Sequence, residues 1–173
     1  RCLTRLSLST GSQVWQTTSF GDSAGSHGAF ESIDITTDRN AALIAGFSNK
    51  PDTTEYTFRS YGNAVGGQAV VMQMPITALT SSSAPTSASA TWTLGFPSQH
   101  TVKAARGLSN GEVGVLLLTD ASDNAQLAKL SSTGTIVWGP NNFGTAQMVE
   151  GTDMQISADG SAMVFTGHGD CSA

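Results

Sequence analysis

Apolar residues in this chain come in short runs separated by turn residues. Inside the runs they alternate with polar ones more nearly every second residue than with the period of a helix. The stretch with Leu3, Arg5 and Ser7 set against Leu6 and Leu8 is an imperfect example. No segment combines helical spacing with capping residues. Two kinds of paired run recur. In one, an apolar run, a turn and a second apolar run follow each other. Ile33-Asp34-Ile35 precedes Asp38-Arg39-Asn40 and residues 42–46; residues 105–108 precede Ser109-Asn110-Gly111 and residues 113–118; Met154-Gln155-Ile156 precedes Ala158-Asp159-Gly160 and residues 162–167. Asn-Gly and Asp-Gly between apolar runs predict hairpins, because the tight turns that match the strand twist need positive φ at their central residues.

The other paired run ends on a tryptophan. Leu3-Thr4-Arg5-Leu6, Ser9-Thr10-Gly11 and Trp15 are matched by Leu127-Ala128-Lys129-Leu130, Ser132-Thr133-Gly134 and Trp138. Residues 70–74 and Trp92 hold the same places around a longer connection. The unit is therefore strand, turn, Trp strand, loop, strand, turn, strand, and it occurs three times, over about residues 1–48, 69–122 and 125–169. Two inserts interrupt it, residues 49–68 and 77–91. Four short strands per unit, repeated, predict an all-β, propeller-like domain of three four-stranded antiparallel units spanning residues 1–173. Closed propellers usually have about 4–8 blades, so three units predict a partial propeller or one completed by assembly.

The third unit carries a more specific pattern. Lys129-Leu130-Ser131-Ser132-Thr133-Gly134, Ile136-Val137-Trp138, Phe143-Gly144, Ile156-Ser157, Asp159-Gly160 and Thr166-Gly167 together resemble the SBBP-type and quinoprotein-like propeller repeats of secreted and cell-surface proteins. The first unit matches well and the second in part. The resemblance implies an architecture and a place outside the cell. It implies no activity, because propellers carry many unrelated functions.

Composition sharpens the class. Charged residues make up 12% of the chain, against about 25% in an average protein. The net charge of −5 argues against a nucleic-acid partner, which calls for basic patches. A quarter of the chain is Ser or Thr (22 and 21 residues), as in many secreted β-proteins. No apolar run is long enough for a membrane-spanning helix. A chain that starts at Arg1 without a leader reads as a mature or trimmed product. The whole number of repeats, with Cys2 and Cys171 at nearby places in the repeat frame, predicts tandem or head-to-tail continuation and a disulfide. Pairing within one chain and between chains both stay open.

Candidate chemistry is sparse. Trp15, Trp92 and Trp138, with Phe20, Phe96 and Phe143, are expected to fill equivalent gaps between sheets, where large rings bury much area. Thr80, Ser81, Ser82, Ser83, Thr86, Ser87 and Ser89 surround Pro85 and are candidate O-glycan acceptors; a solvated loop is the plainer reading of that insert. No Asn-x-Ser/Thr acceptor occurs. Tyr56, Phe58 and Tyr61 in the other insert could hold a partner or sugar, though such residues more often pack their own loop. His27, His100 and His168 hold non-equivalent places in the repeat, so no ligand ring is implied. Glu31, Asp34 and Asp38 could suggest a carboxylate pair, but Asp38 and Asp159 are better read as turn residues. Asp120 and Asp123 offer oxygens to calcium without the spacing of a calcium loop. No hydrolase, metalloprotease or phosphate-loop motif is present, and no cofactor is expected. The expected role is an extracellular structural or assembly module that partners its own copies or adjacent domains. A glycan- or protein-binding partial propeller and a fragment of a larger propeller enzyme are the alternatives.

Overall fold

The computed structural model describes residues 2–17, 26–51, 68–96, 99–119, 124–142 and 150–168. Within them the chain is all-β, with twelve strands in four antiparallel sheets. β1 (Thr4–Leu6) and β2 (Gln13–Gln16) form an N-terminal ribbon. β3 (Ser26–Ile35), β4 (Ala41–Pro51), β5 (Gln68–Pro75) and β6 (Trp92–Phe96) form a four-stranded meander, sheet I. β7 (Gln99–Gly107), β8 (Val113–Thr119), β9 (Ala125–Leu130) and β10 (Ile136–Asn142) form a second, sheet II. β11 (Glu150–Ile156) and β12 (Met163–His168) form a C-terminal ribbon.

The two sheets pack face to face. Leu43, Ala45, Ala69, Val71 and Phe96 of sheet I interleave with Val102, Val113, Val115, Leu117, Ala128 and Leu130 of sheet II, all buried. Strand β8 explains its own sequence. Its continuous apolar run, Val113-Gly114-Val115-Leu116-Leu117-Leu118, has no polar face because both faces are covered. One face meets sheet I; on the other, Leu116 and Leu118 meet Met154, Met163 and Phe165 of the C-terminal ribbon. The N-terminal ribbon lies on the far face of sheet I, where Leu3 packs against the cluster of Ala42, Ile44, Met72 and Met74. Ion pairs join the first strands of successive sheets, β3 to β7 through Glu31 and Lys103 at 2.6 Å and β7 to β11 through Arg106 and Asp153.

The unit read along the sequence does not coincide with a sheet. β3 and β4 of the first unit pair with β5 and β6 of the second, so each four-stranded sheet straddles two units. Three four-stranded units are thus replaced by two four-stranded sheets and two ribbons among the described residues. Turn residues specify each hairpin locally, whereas pairing between hairpins is decided by distant packing.

The insert at 77–91 is more ordered than a solvated loop. It joins β5 to β6 through helix α1 (Ile76–Thr80) and a 3-10 turn at Ser87–Ser89. Pro75 stands at the N-cap with no side-chain cap bond, so nothing in the sequence announces the helix start. Ile76, Ala78, Leu79 and Ala90 pack on the Ala42–Met74 cluster, and that contact holds the segment. The insert at 49–68 lies mostly outside the described residues, including Tyr56, Phe58 and Tyr61.

Candidate assembly surface

The tryptophans occupy equivalent ladder positions. Trp15 stands opposite Arg5, Trp92 opposite Gln73, and Trp138 opposite Lys129. Each lies on the outermost strand of its sheet or ribbon. What differs is the neighbour each one meets. Trp92 crosses from sheet I to the β9–β10 turn of sheet II, and its indole Nε1 donates to the Ser132 carbonyl at 3.0 Å. Its ring covers Gly134, whose φ is +79°; a Cβ on that glycine would lie 2.6 Å from Trp92 Cδ2. Trp15 crosses from the N-terminal ribbon to the β5–β6 connection of sheet I and donates to the Ser81 carbonyl at 3.1 Å. Arg5 donates to the Thr80 and Ser81 carbonyls beside it. Trp15 is 8% exposed.

Trp138 departs from the expectation of equivalent burial. It is 37% exposed, and its indole N–H has no partner among the described residues. The C-terminal ribbon packs against Ala104, Leu116, Leu118, Ala125 and Leu127 of β7, β8 and β9, a cluster that does not include Trp138. Phe96 is buried at 2%, while Phe20 and Phe143 lie outside the described residues.

The two ends of the stack are bare in opposite ways. On sheet I the N-terminal ribbon leaves the edge strand β3 open: Ile33 and Ile35, opposite Ile44 and Ala42, are 60% and 46% exposed. On sheet II the C-terminal ribbon packs on β7, β8 and β9 and leaves Trp138 of β10 open. Among the described residues both strands of each two-stranded ribbon are edges, and β1 and β12 are the two that adjoin when the ribbons are set in the order of a four-stranded sheet. Leu6 on β1 and Val164 on β12 are exposed. Unpaired strand edges and exposed apolar residues together invite another strand.

The residues considered for chemistry are occupied. Asp38 accepts from the Thr36 hydroxyl at 2.7 Å and from the Asn40 amide, which hold its carboxyl below the usual carboxylate range. Asp159 accepts from Ser157 and Ser161, which bring it down to about 2. Glu112 is lowered by Lys129, 2.6 Å away, and by Asn110. Asp38 and Glu112 border a cavity of about 310 Å³ at the turn end of the sheets, with Gln73, Leu108 and Ser132. With both carboxylates bound to their own turns, the cavity presents no free acid or base pair. Glu31 bonds Thr101 and Lys103, and Asp34 accepts from the Gly107 amide at 3.4 Å.

His27, His100 and His168 fall on β3, β7 and β12, in three different sheets. Among the described residues no group of three His, Cys, Asp or Glu could hold a metal ion. Asp120 and Asp123 lie outside them. Cys2 is exposed and unpaired, and Cys171 lies outside the described residues. Of the candidate glycan acceptors, Thr80, Ser81, Ser82, Ser83, Thr86 and Ser87 are exposed and Ser89 is half-buried. No helix among the described residues is long and apolar enough to cross a membrane. The residues sequence reasoning passed over are Leu6, Gly11, Ile33, Ile35 and Val164. The signal that could have found Leu6, Ile33 and Val164 was the repeat frame, which sets them beside residues buried elsewhere in the chain, among them Leu130, Met154 and Leu43.

No family profile matches this chain, and no curated protein is significantly similar to it.

Proposed function

We propose that this chain is a structural building block that associates with its own copies through propeller-like repeat sheets, as part of an extracellular or cell-surface fibre, appendage or layer. One observation carries the self-association. The N-terminal ribbon corresponds strand for strand to β9–β10, and the C-terminal ribbon to β7–β8. Set in the order β11, β12, β1, β2, the two ribbons would repeat the four-stranded sheets I and II; the N-terminal ribbon leaves Ile33 and Ile35 of β3 exposed and the C-terminal ribbon leaves Trp138 of β10 exposed.

The extracellular setting is supported by low charge, abundant Ser and Thr, and the exposure of the hydroxyls in the 77–91 insert. A disulfide between Cys2 and Cys171 of neighbouring copies would strengthen such an assembly; Cys2 is exposed and available. The reading assigns the chain no catalytic role and no cofactor.

Sedimentation of the native protein, with and without reductant, tests the proposal. The expected result is a particle that grows with concentration and shortens on reduction. A single 17.8 kDa species at every concentration would contradict it.

A further inference from the structure

We infer that copies dock head to tail through a tryptophan lock: the Trp138 ring of one copy covers Gly11 of the next and its Nε1 donates to the Leu8 carbonyl there, while β12 of the first copy pairs antiparallel with β1 of the second. This rests on the self-association proposed above and specifies which residues meet.

The lock is read from the contact the chain already makes inside itself. Trp92 reaches from the last strand of sheet I to the turn of the next Trp hairpin, bonding the Ser132 carbonyl and covering Gly134. Trp138 holds the same ladder place on the last strand of sheet II, but among the described residues no Trp hairpin follows to receive it. The β1–β2 turn is the matching receiver. Gly11 has φ +70°, against +79° for Gly134. The hydroxyl pair Ser7–Ser9 spans it at 2.9 Å, as Ser131–Thr133 spans the other turn at 2.9 Å. The β1–β2 turn is one residue longer, since the Gly11 amide donates to the Ser7 carbonyl four residues back where the Gly134 amide donates to the Ser131 carbonyl three back. Counted from the first strand of each hairpin, it is Leu8 that stands where Ser132 stands. Besides that extra residue, the two turns differ in occupancy. A Cβ on Gly134 would strike the Trp92 ring, whereas a Cβ on Gly11 would meet nothing within 4 Å.

The edge strands fit the same frame. Val113 pairs with Leu130 in sheet II and Ala42 with Met74 in sheet I. The equivalent residues on the open edges are Met163 and Leu6, and one step further Val164 meets Arg5. Leu130, Met74 and Leu43 are fully buried, while their counterparts Leu6 and Val164 are 56% and 63% exposed. The register therefore buries side chains that are otherwise left in water. The incoming C-terminal ribbon also falls over Ile33 and Ile35. Repetition of an internal interface makes a second copy the fitting occupant, because each half of the contact is already present on the chain.

Gly11→Asn and Trp138→Ala test the lock separately and then together. Asn tolerates positive φ and the site is open, so Gly11→Asn folds but blocks the receiver. Trp138→Ala removes the inserted ring from a partly exposed site. Each variant alone is expected to stay at the mass of one copy at concentrations where the unmodified chain assembles. A one-to-one mixture is expected to give a particle of two copies and no larger, since each variant keeps one intact surface. The lock is overturned if either variant grows like the unmodified chain, or if the mixture stays at one copy. If the unmodified chain itself never assembles, the self-association and the lock fail together. If it assembles and both variants assemble equally, only the lock fails.

Discussion

Gly134 and Gly11 have the same backbone conformation in different surroundings, with φ of +79° and +70°. An alanine at either position takes up the left-handed strain, about 1–2 kcal/mol. Only at Gly134 does the added methyl also overlap the Trp92 ring, and such overpacking costs about 1–3 kcal/mol more. Gly134→Ala is therefore expected to lower the thermal midpoint clearly further than Gly11→Ala, measured where the protein is a single copy. Equal shifts would mean that Trp92 does not cover that turn. The turn carboxylates supply a pH dependence. Asp159 has its folded-state pKa depressed to about 2 by Ser157 and Ser161, from an ordinary value of 3.8. Its contribution is present above the ordinary value and is lost as pH falls from there towards about 2. Asp159→Asn is expected to flatten stability over that acid window and to leave the neutral range unchanged in slope, as read from denaturant midpoints against pH. The side chains of both turns were legible from Asp-Gly and Ser-Thr-Gly alone. The exposure of Trp138 was not, because a side chain's burial depends on the neighbour across the sheet, which its own sequence does not encode.

At the scale of elements, the sheet I–sheet II interface is the main store of stability. Leu117 is fully buried in it, and Leu117→Ala is expected to destabilise by about 2–5 kcal/mol in chemical unfolding. A loss under 1 kcal/mol would be inconsistent with a closely packed interface. The β5–β6 connection has a second task. Its Thr80 and Ser81 carbonyls accept from Arg5 and Trp15, and its Ile76 and Leu79 side chains flank the N-terminal ribbon's packing site. Replacing residues 77–90 by a two-residue turn is expected to speed amide exchange in β1 and β2 while leaving β8 and β9 protected. Unchanged exchange in β1 would show that Leu3 alone anchors the ribbon. Hairpins were readable because their turns are local. The helix in this connection was hidden by a Ser- and Thr-rich composition, and only the spacing of Ile76 and Leu79 hinted at it. The grouping of hairpins into sheets was equally hidden, since β4 with β5 is a pairing across an insert of about twenty residues.

For the whole molecule, the repeat decides more than any single site. A stack of sheets contacts only its neighbours, so each end presents a half-made interface unless something covers it. In the proposed assembly the two ends supply complementary halves: Trp138 and Val164 are exposed on one, and Leu6 and Ile33 are exposed beside an open Gly11 on the other. The all-β class and the Trp frame were legible because both are periodic in the sequence. The phase of that frame against the sheets was not, and it is the phase that turns the ends into ribbons. The most direct measurement is amide hydrogen exchange, residue by residue, in dilute and in concentrated protein. The account expects the open-edge amides of β1 and β12 to become protected as concentration rises, while the already paired β4 and β8 stay unchanged. Rapid exchange of β1 and β12 at every concentration would contradict it.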